Sequence, residues 1–109
     1  MSDGTIQEFL SRMEAAFVAE KATGVDATIQ LKLVGAQAAE WYVVIRDNKC
    51  NFSEGTAPSA KLTVTADSGD FIKIFTGQMD GMQAFMQGKI KLAGDMNLAM
   101  KLMSLFKMQ

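Results

Sequence analysis

Ile29, Leu31 and Leu33 alternate with Thr28, Gln30 and Lys32, a two-residue period that fits a strand with one wetted face. Residues 62–66 alternate in the same way, with Leu62, Val64 and Ala66 apart from Thr63 and Thr65, and so do residues 89–92. Residues 41–46 are apolar at nearly every position, which predicts a central strand, and Asp47-Asn48 supplies a tight turn into a further strand at 49–53. Five strands interrupted by helical spacing is an α+β order. The hairpin-linked strands are expected to be antiparallel, and the helical connection before the fifth permits a parallel pairing there.

Helical spacing frames these strands. Ile6, Phe9, Leu10, Met13 and Phe17 form one stripe after a Thr5–Glu8 capping box, with Gly24 as the stop. After the fourth strand, Ser68 or Asp67 caps a short helix carrying Phe71, Ile74 and Phe75 and closed by Gly77. Asp80 caps another, carrying Met82, Phe85 and Met86 and closed by Gly88. Gly94-Asp95 turns the chain into a last helix over about 96–106.

Composition removes most catalytic routes. The 109 residues contain no histidine and one cysteine, Cys50. No internal disulfide is available, and the usual zinc, copper and haem sites lack ligands. An imidazole base is missing for any triad, and nothing is at hand to activate Cys50 as a nucleophile. The carboxylates are accounted for as caps and turns or as charges on helix faces. Gly88-Lys89 lacks the upstream glycine and following hydroxyl of a P-loop. No cofactor is expected.

Charge is unevenly placed. Residues 1–70 hold six basic and ten acidic groups, whereas 71–109 hold five lysines and two aspartates. A basic C-terminal third suits a phosphate, an anionic headgroup or a transient membrane contact. With a formal net charge of −1, and aromatics confined to apolar stripes, nucleic acid is not an expected partner. No secretory signal, membrane-spanning run or peroxisomal Ser-Lys-Leu ending is present, which points to the cytoplasm.

The last helix carries more apolar surface than one sheet can cover. Asn97, Lys101 and Ser104 fall in an arc of roughly 60°, and apolar residues cover roughly 220° of the rest. A stripe of about 100° suffices for a helix on a sheet. Seven of the nine methionines lie in the last 31 residues. Methionine is pliable and suits surfaces that accept several apolar shapes. Together with Phe71, Phe75 and Phe85 on the preceding helices, these residues predict an adaptable apolar cavity beside the last helix. The surplus arc also fits a homodimer interface through that helix.

Two runs then carry a resemblance. Ala84-Phe85-Met86-Gln87-Gly88-Lys89-Ile90-Lys91-Leu92 and Gly94-Asp95-Met96-Asn97-Leu98-Ala99-Met100-Lys101-Leu102 resemble the C-terminal signature of the sterol carrier protein type 2, or non-specific lipid-transfer, family. Leu62-Thr63-Val64-Thr65, Asp70-Phe71 and Thr76-Gly77 are similar to its strand, short helix and glycine, and Trp41 matches a common second-strand aromatic. Asn97 stands where the family usually has glycine.

The resemblance implies a five-stranded mixed, mostly antiparallel sheet covered on one face by helices. That sheet encloses a hydrophobic tunnel for fatty acid, fatty acyl-CoA, phospholipid or sterol-like ligands. It implies binding and transfer rather than catalysis. By matching position the lining is Phe71, Phe75, Phe85, Met86, Met100 and Met103, with Gln87 as the polar group near the mouth; Trp41 and Met82 complete the expected set. An alternative is an accessory module that presents acyl-CoA to a partner enzyme, with Lys89, Lys91 and Lys101 near the phosphates.

Overall fold

The computed structural model describes residues 6–106, with Met103 described in its backbone only. Helix α1 (Ile6–Ala15) buries Ile6, Phe9, Leu10 and Met13. Strands β1 (Ala27–Val34), β2 (Ala39–Arg46), β3 (Lys49–Glu54) and β4 (Leu62–Asp67) follow, then helices α2 (Ser68–Phe75) and α3 (Gly81–Met86), strand β5 (Ile90–Gly94) and helix α4 (Met96–Leu102). The five strands form one sheet in the order β3-β2-β1-β4-β5. Thr5, the first residue of the expected capping box, lies outside the described residues.

The alternation in the sequence becomes two sheet faces. Ile29, Leu31 and Leu33 of β1 align with Val43, Trp41 and Ala39 of β2 and with Leu62, Val64 and Ala66 of β4. This is the face the helices cover, and nearly all of it is buried. The opposite face carries Thr28, Lys32, Thr63 and Thr65, partly or fully exposed. Gln30 lies on that face too, yet it is only 3% exposed. Its amide donates to the carbonyls of Trp41 (3.0 Å) and Gly55 (3.1 Å) and accepts from the Ala57 N–H (2.8 Å). The side chain thereby pins the connection that carries the chain from β3 across β2 and β1 to β4.

The hairpin-linked strands are antiparallel as expected, but the parallel pairing that the helical connection permits at the fifth strand is not found there. The parallel pair is β1 with β4, and β5 runs antiparallel to β4. Ala66, at the end of β4, pairs with Ile90, at the start of β5. The excursion through α2 and α3 therefore leaves and returns at one end of the sheet, so β5 has to run back. Strand β2 is flanked by β3 and β1, but β1 rather than the expected β2 is at the centre, and Tyr42 and Val44 of β2 remain half-exposed on the open face. Between β2 and β3, Asp47 and Asn48 both take positive φ (54° and 58°), the conformation of a two-residue hairpin turn.

Both terminal helices are shorter than their apolar stripes predict. Helix α1 ends at Ala15, not near Gly24, and α4 ends at Leu102, followed by a 3-10 turn over Met103–Leu105. One interaction accounts for both. Phe17 and Phe106 form an antiparallel bridge, and the Val18 N–H donates to the Leu105 carbonyl at 2.7 Å. Extended backbone at 17–18 and at 106 is incompatible with continuing either helix. Phe106 then enters the core against Phe17, Phe52 and Phe75, with ring centroids 5.6, 5.9 and 6.4 Å away.

Aspartates start the other helices as expected. The Asp67 carboxylate accepts from the Gly69 (2.9 Å) and Asp70 (3.2 Å) amides, and Asp95 accepts from Leu98 at 3.1 Å. Ser68, the alternative cap, instead accepts from the Gln37 N–H at 3.2 Å. This tie brings the turn at Gly35–Gln37 against the start of α2. Gly35 has φ +91°, and a Cβ there would sit 2.1 Å from Asp67 Oδ1, so a side chain at this position is strained and displaces the Asp67 carboxylate.

Candidate functional site

The late helices do not close fully over the edge of the sheet. Between α2, α3, β5 and α4 lies a cavity of about 480 Å³, within the range typical of small-molecule sites. Ile74 and Phe75 of α2 form one wall, and Gly81, Met82 and Phe85 of α3 form the next. Ile90 and Leu92 of β5 make the floor, and Met96, Ala99, Met100 and Leu102 of α4 close the far side. Asp80, ahead of α3, is the one ionisable residue in the lining among the described residues.

Local structure explains this placement. Ile90 and Leu92 align with the buried Ala66 and Val64, so both point to the helix-covered face. In α4, Leu98, Ala99 and Leu102 are buried, while Met96 and Met100, four residues apart, share one edge of that stripe. In α3, Ala84 is buried, and Met82 and Phe85 lie on the adjoining arc. The mouth is consequently rimmed by exposed apolar groups: Met82 is 57% exposed, Phe85 41%, Met96 45% and Met100 69%. A rim of this kind stands ready to meet another apolar surface.

The structure gathers Phe75, Met82, Phe85 and Met100 from the expected lining and separates the others from it. Phe71 is completely buried beneath the cavity, its ring 4.8 Å from Phe75 and 6.0 Å from Phe9, and belongs to the core. Met86 faces solvent beyond the wall. Gln87 ends α3, its N–H bonded to the Gln83 carbonyl at 2.9 Å, and its side chain is exposed. Trp41, half-buried on β2, is separated from β5 by β1 and β4. Met103 has no described side chain.

Ile74, Ile90, Leu92, Ala99 and Leu102 join the lining without having been expected there, and Met96, one of the methionines read as forming the cavity, joins it from outside the matched set. The period-two alternation of β5 and the i, i+4 relation of Met96 and Met100 both carried the signal. Asp80 was legible only as a cap; it is that and a lining residue at once. Lys91 pairs with Thr65 on the open face of the sheet, away from the cavity; Lys89, just before β5, and Lys101, on α4, are exposed and outside the lining.

Cys50 lies on β3, beyond β1 and β2 from this site. Burial, and secondarily the Glu14 carboxylate, push its thiol up to about 11. A thiol so protonated is a poor nucleophile at neutral pH. No helix among the described residues is long and apolar enough to cross a membrane.

Comparison with known proteins agrees with this architecture. The SCP-2 sterol transfer family matches residues 6–107. Hydroxysteroid dehydrogenase-like protein 2 of Xenopus tropicalis is 38% identical over 99 residues, covering 89% of this chain and 24% of that protein. Sterol carrier protein 2 of Rattus norvegicus is 39% identical over 71 residues, 65% of this chain and 13% of that protein. The solution structure of palmitated SCP2L2 from Aedes aegypti superposes with a TM-score of 0.69 at 31% identity, covering 95% of this chain and 93% of that one. The chain thus spans about a quarter or less of the two longer relatives and nearly all of the insect protein. With sheet order, helix placement and sequence in agreement, this chain belongs to the SCP-2 sterol transfer family.

Proposed function

We propose that this domain is a carrier: it binds a lipid in the cavity beside α4 and transfers it by transient contact with membranes. The observation that carries the reading is the apolar cavity of about 480 Å³ whose mouth is ringed by exposed Met82, Phe85, Met96 and Met100. A rigid core would favour Leu, Ile and Val at such positions; methionine adapts to acyl chains and to ring systems alike.

Magnitudes fit reversible carriage. Burying about a dozen methylenes gains on the order of 10 kcal/mol. Association offsets roughly 4–15 kcal/mol of that. Binding is then useful without being permanent, which transfer requires. The palmitate of the insect relative illustrates an acyl chain held by this fold. Fatty acids, other acyl lipids and sterol-like molecules are the ligand classes the lining suits.

The test is native mass spectrometry of the purified domain, followed by displacement of a fluorescent fatty acid after delipidation. Co-purifying lipid, or saturable displacement, is the expected outcome. Absence of both would overturn the reading.

A second reading has its own support. Because the chain spans 24% of a dehydrogenase-like relative, the domain also suits presentation of a bound lipid to an attached or partner enzyme. Lys89 and Lys101, both exposed, are the cations this reading assigns to acyl-CoA phosphates; Lys91, on the open sheet face away from the cavity, is set aside. If Lys89→Glu and Lys101→Glu leave acyl-CoA affinity unaltered at low salt, that role is lost. The homodimer reading has lost much of its basis. Leu98, Leu102, Leu105 and Phe106 of the surplus arc are buried in the chain's own core.

A further inference from the structure

We infer that Asp80 sets the head-group preference of the cavity, favouring lipids that end in an uncharged hydroxyl over those that end in a carboxylate. The inference rests on the carrier reading above and names the ligand class of that same site.

Among the described residues, Asp80 is the single ionisable group in the lining. Its carboxylate is held in place by the first turn of α3. Oδ1 accepts from the Met82 N–H at 2.8 Å and the Gln83 N–H at 3.3 Å. Both cap bonds fall on one oxygen, and none of the described residues donates to Oδ2. Nor is the charge neutralised by an ion pair: among the described residues the salt bridge is Arg46 with Asp26, at 3.7 Å, elsewhere on the sheet. The exposed amides of α3 offset part of the charge without reversing its sign.

A lipid whose chain runs inward along Leu92 and Leu102 leaves its polar end at the mouth, beside this fixed anion. Asp80 is itself exposed, so water screens part of its charge, but a carboxylate at the mouth still meets a like charge beside an apolar wall. A hydroxyl can instead donate to Oδ2, a charge-assisted hydrogen bond that a carboxylate, having no proton, cannot make. The same geometry attracts an ammonium head, which makes the sign of the effect measurable.

The experiment uses the delipidated domain, with uncharged Nile red as the displaced probe and dodecan-1-ol, dodecanoate and dodecylammonium as competitors. Asp80→Asn keeps a good cap and removes the charge. At low salt the substitution is expected to tighten dodecanoate by about three- to tenfold and to weaken dodecylammonium by a similar factor. Raising ionic strength shrinks both changes. A merely structural effect of the substitution would move both competitors in the same direction. If the dodecanoate-to-dodecylammonium affinity ratio stays within about twofold of the unsubstituted value, the role of Asp80 is overturned and the carrier reading stands. If dodecan-1-ol fails to displace Nile red from the unsubstituted domain, the cavity reading falls and takes this inference with it.

Discussion

Phe17 and Phe106 meet twice, through an antiparallel backbone bridge and through rings 5.6 Å apart. This contact joins the chain just after α1 to the chain just after α4, and it anchors the helix that closes the cavity. Truncating Phe106 to alanine removes one of the largest buried rings together with its contacts to Phe17, Phe52 and Phe75. A loss of about 3–5 kcal/mol is expected in chemical denaturation. Met86→Ala, on a side chain 78% exposed, is the control and should stay within about 0.5 kcal/mol.

Glycine matters more at one turn than at another. Gly35→Ala combines a φ of +91° with a Cβ 2.1 Å from Asp67 Oδ1. The aspartate has to move, and the cap of α2 goes with it. The expected destabilisation is about 3 kcal/mol or more. Gly24 also has positive φ, at +83°, but open space around its missing Cβ. Alanine there should cost about 1 kcal/mol. Comparable losses at both sites in thermal melts would contradict the close approach of Gly35 to Asp67.

Alkylation should report the protonation of Cys50. With its thiol pushed up to about 11 from an ordinary 9.0, the thiolate fraction at neutral pH is about a hundredfold below that of an unperturbed cysteine. The iodoacetamide rate should keep rising past pH 9 and reach half its maximum near 11. The linkage follows from the raised value. The folded state holds this proton more tightly than the unfolded one, so its contribution is complete below about pH 9 and is lost as pH rises toward 11. Cys50→Ser should reduce that alkaline decline.

Filling the cavity separates ligand binding from stability. Leu92 is half-buried on its floor. Leu92→Trp occupies space a ligand would use and is expected to weaken lipid affinity by about tenfold or more, equivalent to 1.4 kcal/mol. Displacement titration and a thermal melt on the same sample distinguish this from unfolding. Undiminished affinity would place the lipid elsewhere.

Much of this was legible locally. The aspartate caps at 67, 80 and 95, the Asp47-Asn48 hairpin and the inward faces of β4 and β5 depend on neighbours in sequence, and local patterns record them. The ends of α1 and α4 do not. Their apolar stripes continue smoothly through Phe17 and Leu105, and only a pairing between residues far apart in the chain interrupts them. Gln30 shows the same limit. Alternation assigns it to the wetted face of β1, and the connection at Gly55–Ala57 covers it. Phe71 and Phe75 share a stripe in the sequence, but one turn of helix separates a core ring from a cavity ring.

Among the described residues, every wall of the cavity, from Ile74 to Leu102, is drawn from one uninterrupted stretch of chain. The three strands β1, β2 and β3 contribute no lining residue; they are a chassis on which that stretch is mounted. Changes of cargo can therefore accumulate within residues 74–102 as a cassette, while the hairpin half of the sheet stays as it is.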